Sequence, residues 1–275
     1  DSNADFIIDS IKEIKNIINS TNKDSILGIG IAVSGLVLEN SRFILSSSLK
    51  WKSFNVKDEL EQEIGIPVFV ENNSITKAVW QFNNEDQIDL DNMLFIDLED
   101  GIGAVQFYKG AINRSMIGEI GHTTVEMDGF SCFCGNKGCL EAMCSVDTML
   151  LKYKEYLGDK NKTVNYDSII EEFSNGNEVA RDVLKECGEY LGIGFANLVN
   201  VFNPTHIILN GAEYFKCDYI FDVAIERMKK RAYPILTQNL IINKVNIGIE
   251  ESIQGIAINL CDRIFDISFP YNIIE

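Results

Sequence analysis

The chain has 275 residues, of which 46% are hydrophobic and 24% charged, a balance typical of a folded globular protein large enough for two lobes. Its 24 Lys and Arg residues against 41 Asp and Glu give a formal net charge of −17, which would repel nucleic acid phosphates and anionic membranes alike. No uncharged apolar run approaches the roughly 20 residues that a membrane span needs. We therefore expect a cytoplasmic protein that has no membrane contact and does not itself bind DNA.

The N-terminal part of the chain alternates helical and strand patterns. Isoleucines recur at three- and four-residue steps within 5–20, which predicts an amphipathic helix. The stretch 26–33 is nearly continuous β-branched and small apolar sequence that ends at Ser34-Gly35, typical of a buried strand that stops at a ligand-side loop. Further short strands are expected at 67–70, 93–98 and 104–108, the last followed by the Lys-Gly turn of a hairpin.

The C-terminal part continues this alternation. An apolar stripe within 178–202 predicts a long helix, which Asn203-Pro204 stops. After it we expect strands at 206–209 and 245–249 and a closing helix at 252–265. Strands and helices that alternate on this scale predict an α/β architecture with mostly parallel sheets.

The segment 119–141 contains one of the two histidines and three of the seven cysteines. The candidate metal ligands are His122, Cys132, Cys134 and Cys139. One imidazole and three thiolates make the Cys₃His set of a closed tetrahedral zinc site, which favours a structural metal over one that activates water. Glycines between the ligands allow the tight turns that convergence requires. The alternative is four unrelated residues in a loop, although clustered cysteines rarely stay idle in a reducing cytosol.

The same segment resembles a known family. Gly118-Glu119-Ile-Gly-His122, followed by Cys-x-Cys-Gly-x-x-Gly-Cys-x-Glu ending at Glu141, resembles the signature of the ROK family of bacterial sugar kinases and sugar-responsive transcriptional repressors. The resemblance implies an α/β, two-lobed actin-like ATPase (ribonuclease H-like) fold with mixed, mostly parallel sheets and a ligand cleft between the lobes. We expect a smaller lobe at 1–76, completed by 254–275, and a larger lobe with the zinc loop at 77–253.

The resemblance also implies a sugar site, because in the family the glutamates and the histidine of this signature line the sugar. The implied ligand-binding residues are Gly35, Asn72, Asn73, Glu119, His122 and Glu141. Carboxylates accept hydrogen bonds from sugar hydroxyls, and an imidazole that binds a metal through one nitrogen can donate from the other. Trp51 is a candidate platform for stacking on a sugar, or else part of the core.

Three departures from the kinase pattern argue against phosphoryl transfer. The kinases use the aspartate of a Glu-Asn-Asp triplet as general base, whereas this chain has Glu71-Asn72-Asn73, and an amide cannot accept the proton. Alternatively, Asn73 only caps the following helix. In place of the family's glycine-rich phosphate loop, this chain has Glu99-Asp100-Gly101-Ile-Gly103, which puts two carboxylates where a polyphosphate would bind. The alternative is that this segment is only the start of a hairpin. Where the family has a Gly-Gly pair after a later strand, this chain has Asn210-Gly211, so one of the two glycines is missing.

The sequence therefore predicts the non-catalytic, sugar-sensing effector domain of a ROK-type transcriptional regulator, assembled as a homodimer or tetramer. DNA would be contacted only through an N-terminal module outside this chain. Ser2-Asn3-Ala4 is typical of the remnant of a cleaved tag, and the opening strands of the family have no counterpart here, so we expect the natural chain to continue upstream. The alternatives are an ATP-dependent sugar kinase and a zinc-holding scaffold that binds no ligand.

Overall fold

Helices and strands alternate along the chain, as the sequence pattern predicts. The computed structural model describes residues 2–21, 25–38, 43–46, 51–84, 92–99, 101–113 and 119–265. These residues belong to two compact units, unit 1 within Asp1–Ile88 and Ile247–Asn272, and unit 2 within Asp89–Asn246 and Ile273–Glu275. The expected lobes, 1–76 with 254–275 and 77–253, stay a prediction.

The N-terminal elements of unit 1 build a small α/β layer. They are α1 (Ser2–Ser20), β1 (Ile29–Val33), β2 (Leu36–Leu38), β3 (Phe43–Ser46), β4 (Trp51–Phe54), α2 (Val56–Ile64), β5 (Val68–Asn72) and α3 (Asn73–Asn83). β1 pairs in parallel with β5, which places Val33 opposite Asn72, while β2, β3 and β4 form an antiparallel sheet. The Asn55 side chain caps α2, and Gly65 ends it in a left-handed conformation. The carboxyl end of β5 therefore delivers the Glu71-Asn72-Asn73 triplet.

Unit 2 is built around a mixed sheet. Its elements are β6 (Asn92–Asp97), β7 (Gly103–Tyr108), β8 (Ala111–Ile112), α4 (Leu140–Cys144), α5 (Val146–Tyr156), α6 (Tyr166–Ser174), α7 (Glu178–Phe202), β9 (His206–Asn210), α8 (Ala212–Phe215), α9 (Asp218–Arg231) and β10 (Ile241–Val245). The strand order is β10-β9-β6-β7-β8, with β10, β9 and β6 parallel and the β7–β8 hairpin antiparallel to them. Lys109 and Gly110 both have positive φ, as a two-residue hairpin turn of this type requires.

The predicted strand at 245–249 is wrong, because the strand lies four residues earlier. β10 runs from Ile241 to Val245 and pairs with β9, beginning with Ile241 opposite His206. The Gly248 N–H donates to the Glu251 carboxylate at 2.9 Å, so the residues after Val245 lead into the last helix, α10 (Ile249–Phe265).

α10 returns to unit 1 and packs closely on its strands and on α3. A Cβ atom on Gly255 would lie 1.9 Å from the Thr76 carbonyl oxygen, so this helix contact needs glycine. The Thr76 and Ser252 hydroxyls meet at 2.6 Å in the same interface. Within the described part of the chain, no helix combines the length and the apolar character that crossing a membrane would need.

Candidate functional site

The candidate metal loop lies between a 3₁₀ turn at Ile120–His122 and α4. Two isolated β-bridges close it, Thr124 with Cys139 and Ser131 with Lys137. Gly138 has a φ of 65°, and a Cβ there would lie 1.4 Å from the Glu126 carbonyl oxygen, so no larger residue fits. These turns fold the loop back on itself and bring distant ligands together.

The structure gathers all four predicted ligands into one cluster. The donor atoms of His122, Cys132, Cys134 and Cys139 lie within 4.8 Å of one another. Cys132 Sγ is 3.4 Å from His122 Nδ1, and Cys134 Sγ is 3.6 Å from Cys139 Sγ. Tetrahedral zinc, with bonds of about 2.3 Å to sulfur and 2.0 Å to nitrogen, would separate its donors by about 3.4 to 3.8 Å. The cluster therefore could hold a metal ion, and its donor chemistry and spacing suit zinc.

The thiols of this cluster differ in acidity. The pKa of Cys134 is lowered, first of all by the backbone N–H of Asn136, whereas burial raises the pKa of Cys139 to about 12. A bound cation would displace the remaining thiol protons, so metal uptake by this loop is coupled to proton release.

His122 presents its two ring nitrogens to different partners. Nδ1 faces Cys132 in the ligand cluster, while Nε2 lies 3.8 Å from Glu119 Oε2. Partial burial raises the pKa of Glu119, the neighbouring His122 lowers it, and the Glu141 carboxylate raises it further. Glu119 thus lies close enough to His122 and Glu141 to interact with both, beside the candidate metal cluster.

Glu141 has a partner that the sequence does not reveal. Glu141 lies in the first turn of α4, and its Oε2 accepts the backbone N–H of Ile102 at 3.0 Å. A Cβ on Gly101 would lie 2.6 Å from that oxygen, and one on Gly121 3.2 Å from it. Gly101 therefore makes room here for a carboxylate, and the bond from Ile102 to Glu141 joins residues 39 positions apart.

In unit 1, the structure brings Gly35 and Asn72 together. Asn72 Nδ2 donates to the Gly35 carbonyl at 2.7 Å, and its Oδ1 accepts the N–H groups of Ser74 and Ile75 at 2.8 and 3.2 Å. Asn72 is thus the cap of α3, and the alternative that Asn73 caps the helix is wrong, since Asn73 is the first helical residue. Only one amide hydrogen of Asn72 is left for a ligand.

The predicted site residues therefore form two groups, Gly35, Asn72 and Asn73 in unit 1 and Glu119, His122 and Glu141 in unit 2. That both groups line one cavity stays a prediction. Glu99 is exposed, and Gly103 begins β7, which agrees with the hairpin interpretation of the Gly-x-Gly segment. Asp100, Gly118 and the Trp51 side chain lie outside the described residues.

The mixed α/β topology, with its partly parallel sheet, is that of the actin-like ATPase fold, as predicted. The sequence model of the ROK family matches residues 1–262, and the chain belongs to this family.

Both branches of the family occur among the relatives. A putative xylose repressor of Caldicellulosiruptor sp. (strain Rt8B.4) is 32% identical over 225 residues, which cover 76% of this chain and 55% of the relative. A glucokinase of Halalkalibacterium halodurans is 30% identical over 205 residues, which cover 69% of this chain and 62% of the relative. The crystal structure of a ROK family transcriptional regulator, a homolog of the E. coli Mlc protein, superposes with a TM-score of 0.80 at 23% identity, over 96% of this chain and 69% of that one.

The chain spans 55% to 64% of the length of the xylose repressors that it matches.

Proposed function

We propose that this chain is the sugar-sensing, non-catalytic effector domain of a ROK-family transcriptional regulator. The observation that carries the proposal is Asn73, which stands where the family's kinases have their general base. An amide can bind a sugar hydroxyl but cannot take its proton, and general base catalysis is typically worth about 10² to 10⁴ in rate. The regulator would work in the cytoplasm as a homodimer or tetramer and contact DNA through a module N-terminal to this chain.

The phosphate side of the site supports the same proposal. Backbone N–H groups in glycine-rich turns bind phosphates in nucleotide sites. Here the Ile102 N–H is already bonded to the Glu141 carboxylate, and Glu99 adds a second negative charge nearby in sequence. A polyphosphate would have to displace one carboxylate and approach the other, and both requirements oppose ATP binding.

The sugar side keeps its polar groups. Glu119 and Glu141 offer acceptors for hydroxyl groups, and His122 offers Nε2, with its ring oriented through Nδ1. We propose that these three side chains and the pair Asn72 and Asn73 converge on one sugar. Relatives described as xylose repressors make D-xylose the first sugar to test.

We assign a structural zinc to His122, Cys132, Cys134 and Cys139. The donor spacing given above supports this assignment, and the soft thiolate set favours zinc over the hard cations that prefer oxygen. When bound, zinc would supply no chemistry of its own beyond fixing the loop that carries Glu119 and Glu141.

A second candidate function is an ATP-dependent sugar kinase, and the glucokinase relative at 30% identity is the observation that favours it. The two functions differ in what they do with ATP. A sensor binds sugar and leaves ATP intact, whereas a kinase consumes ATP only when sugar is present.

Isothermal titration calorimetry with D-xylose, followed by other pentoses and hexoses, tests the sensing proposal. Loss of one charged hydrogen bond costs about 1.5 to 3 kcal/mol, so Glu119→Gln and Glu141→Gln should each weaken binding about tenfold or more while zinc content stays unchanged. Asp128→Asn, an exposed acid in the same loop, is the matched control and should bind like wild type. Unchanged affinity in both glutamine variants would remove the proposed sugar site.

A further inference from the structure

Unit 2 contains a buried lysine that no part of the proposed function uses. Lys152, on α5, is 2% exposed. Its Nζ lies 2.6 Å from Glu186 Oε1 on α7, 5.0 Å from the centre of the Tyr190 ring and 5.6 Å from the centre of the Phe130 ring. A buried ammonium group is costly unless paired, and these partners surround it with one carboxylate and two aromatic faces.

One of these partners belongs to the metal loop. Phe130 stands two residues before Cys132, and its carbonyl accepts the N–H of Gly138, the residue before Cys139, at 2.8 Å. Its own N–H donates to Met143 Sδ at 3.3 Å. Phe130 is therefore one of the points where the two cysteine-bearing segments of the loop are tied together, and the ammonium of Lys152 faces its ring.

The second ring reaches the same loop by another route. The Tyr190 hydroxyl donates to Glu126 Oε2 at 3.5 Å, and the Glu126 carbonyl accepts the Gly129 N–H. Glu186 in turn accepts the Tyr156 hydroxyl at 2.7 Å, so the carboxylate that pairs with Lys152 is itself held in place. The lysine thus joins α5, α7 and the base of the metal loop at one point.

We propose that Lys152 is a positioning residue for the metal loop. Lys152 is not among the proposed metal or sugar ligands, and it holds the Phe130 ring against α5 so that the backbone segments carrying Cys132 and Cys139 keep their ligand geometry. The inference rests on the zinc assignment. Its expected effect is on how tightly the loop retains zinc, in the way that groups supporting metal ligands usually act.

The test is the rate at which the zinc-loaded, 275-residue protein gives up zinc to the chelator 4-(2-pyridylazo)resorcinol. Lys152→Met removes the charge but keeps an unbranched chain, and should release zinc about tenfold faster than wild type. Lys152→Arg keeps a cation and should restore most of the retention. Lys154→Met, the same substitution on the same helix, is the matched control and should release zinc like wild type.

If Lys152 only stabilised the core, its replacement would lower the thermal midpoint and leave the rate of zinc release unchanged. Equal release rates for folded Lys152→Met and wild type would therefore overturn the proposal. Should Lys152→Met fail to fold, Tyr190→Leu takes its place, and a wild-type release rate in that variant would overturn it equally. Wild type that takes up no zinc overturns both the metal assignment and this role. Wild type that holds zinc but binds no sugar contradicts only the sensing proposal.

Discussion

Unit 2 contains two segments in contact with each other, one that matches the family signature and one that departs from the family's phosphate loop. The metal loop gathers its four donors and places Glu119 and His122 beside them. The segment from Glu99 to Gly103 instead gives the N–H of Ile102 to a carboxylate of the first segment. Within the described residues, the metal loop keeps the polar side chains of the family signature, whereas the Ile102 N–H of the second segment is already bonded to a carboxylate.

The largest effect is expected for a variant that removes a candidate metal ligand. Cys139→Ser replaces a fully buried ligand, so the loop should lose zinc and unit 2 should lose several kcal/mol of stability, since metal binding energy is folding energy in such loops. Elemental analysis and thermal denaturation measure both effects. Cys261→Ser, an exposed cysteine on α10, should keep one zinc per chain. Stoichiometric zinc in Cys139→Ser would show that the cluster is not the metal site.

A smaller effect is expected where the two segments meet. In Gly101→Ala the new Cβ would lie 2.6 Å from Glu141 Oε2, so the carboxylate must move and sugar affinity should fall about tenfold with zinc retained. Calorimetry with D-xylose measures the change. Glu99→Gln, two residues earlier, should bind sugar like wild type. Full affinity in Gly101→Ala would mean that the position of Glu141 does not matter for binding.

The smallest expected effect is that of Asn73→Ala, which separates the two asparagines of unit 1. Asn72→Ala removes the cap of α3 and the bond to Gly35, so urea denaturation should show a loss of about 1 to 2 kcal/mol. Asn73→Ala should cost less than about 0.5 kcal/mol, because the first helical residue supplies no cap. Equal losses would contradict the assignment of Asn72, and not Asn73, as the cap of α3.

Local patterns predicted much of this molecule. The four candidate metal ligands lie within 18 residues and glycines occupy turns between them, so the sequence itself predicts that they converge. Helix α7 ends where Asn203-Pro204 predicts, with Asn203 in a left-handed conformation. The β7–β8 hairpin follows from its Lys-Gly turn in the same way.

Interactions between distant residues were the ones that sequence alone missed. β10 is partly exposed and shows no clean alternation, and its position is set by pairing with β9, about 35 residues earlier. The bond from Ile102 to Glu141 and the contacts of Lys152 also join segments far apart in the chain. Strand β5 runs two residues beyond its last apolar residue, Val70, and α3 begins directly at Asn73, so the cap is Asn72.

The most direct test of the central claim asks whether sugar binding occurs without phosphate transfer. The wild-type chain is mixed with D-xylose or D-glucose, with and without Mg²⁺ and ATP, and both the thermal midpoint and the consumption of ATP are followed. We predict that the sensed sugar raises the midpoint, that ATP leaves it unchanged, and that no sugar-dependent ATP consumption occurs, even in Asn73→Asp. Sugar-dependent ATP consumption by the wild-type chain would contradict the account and assign the protein to the kinases of its family.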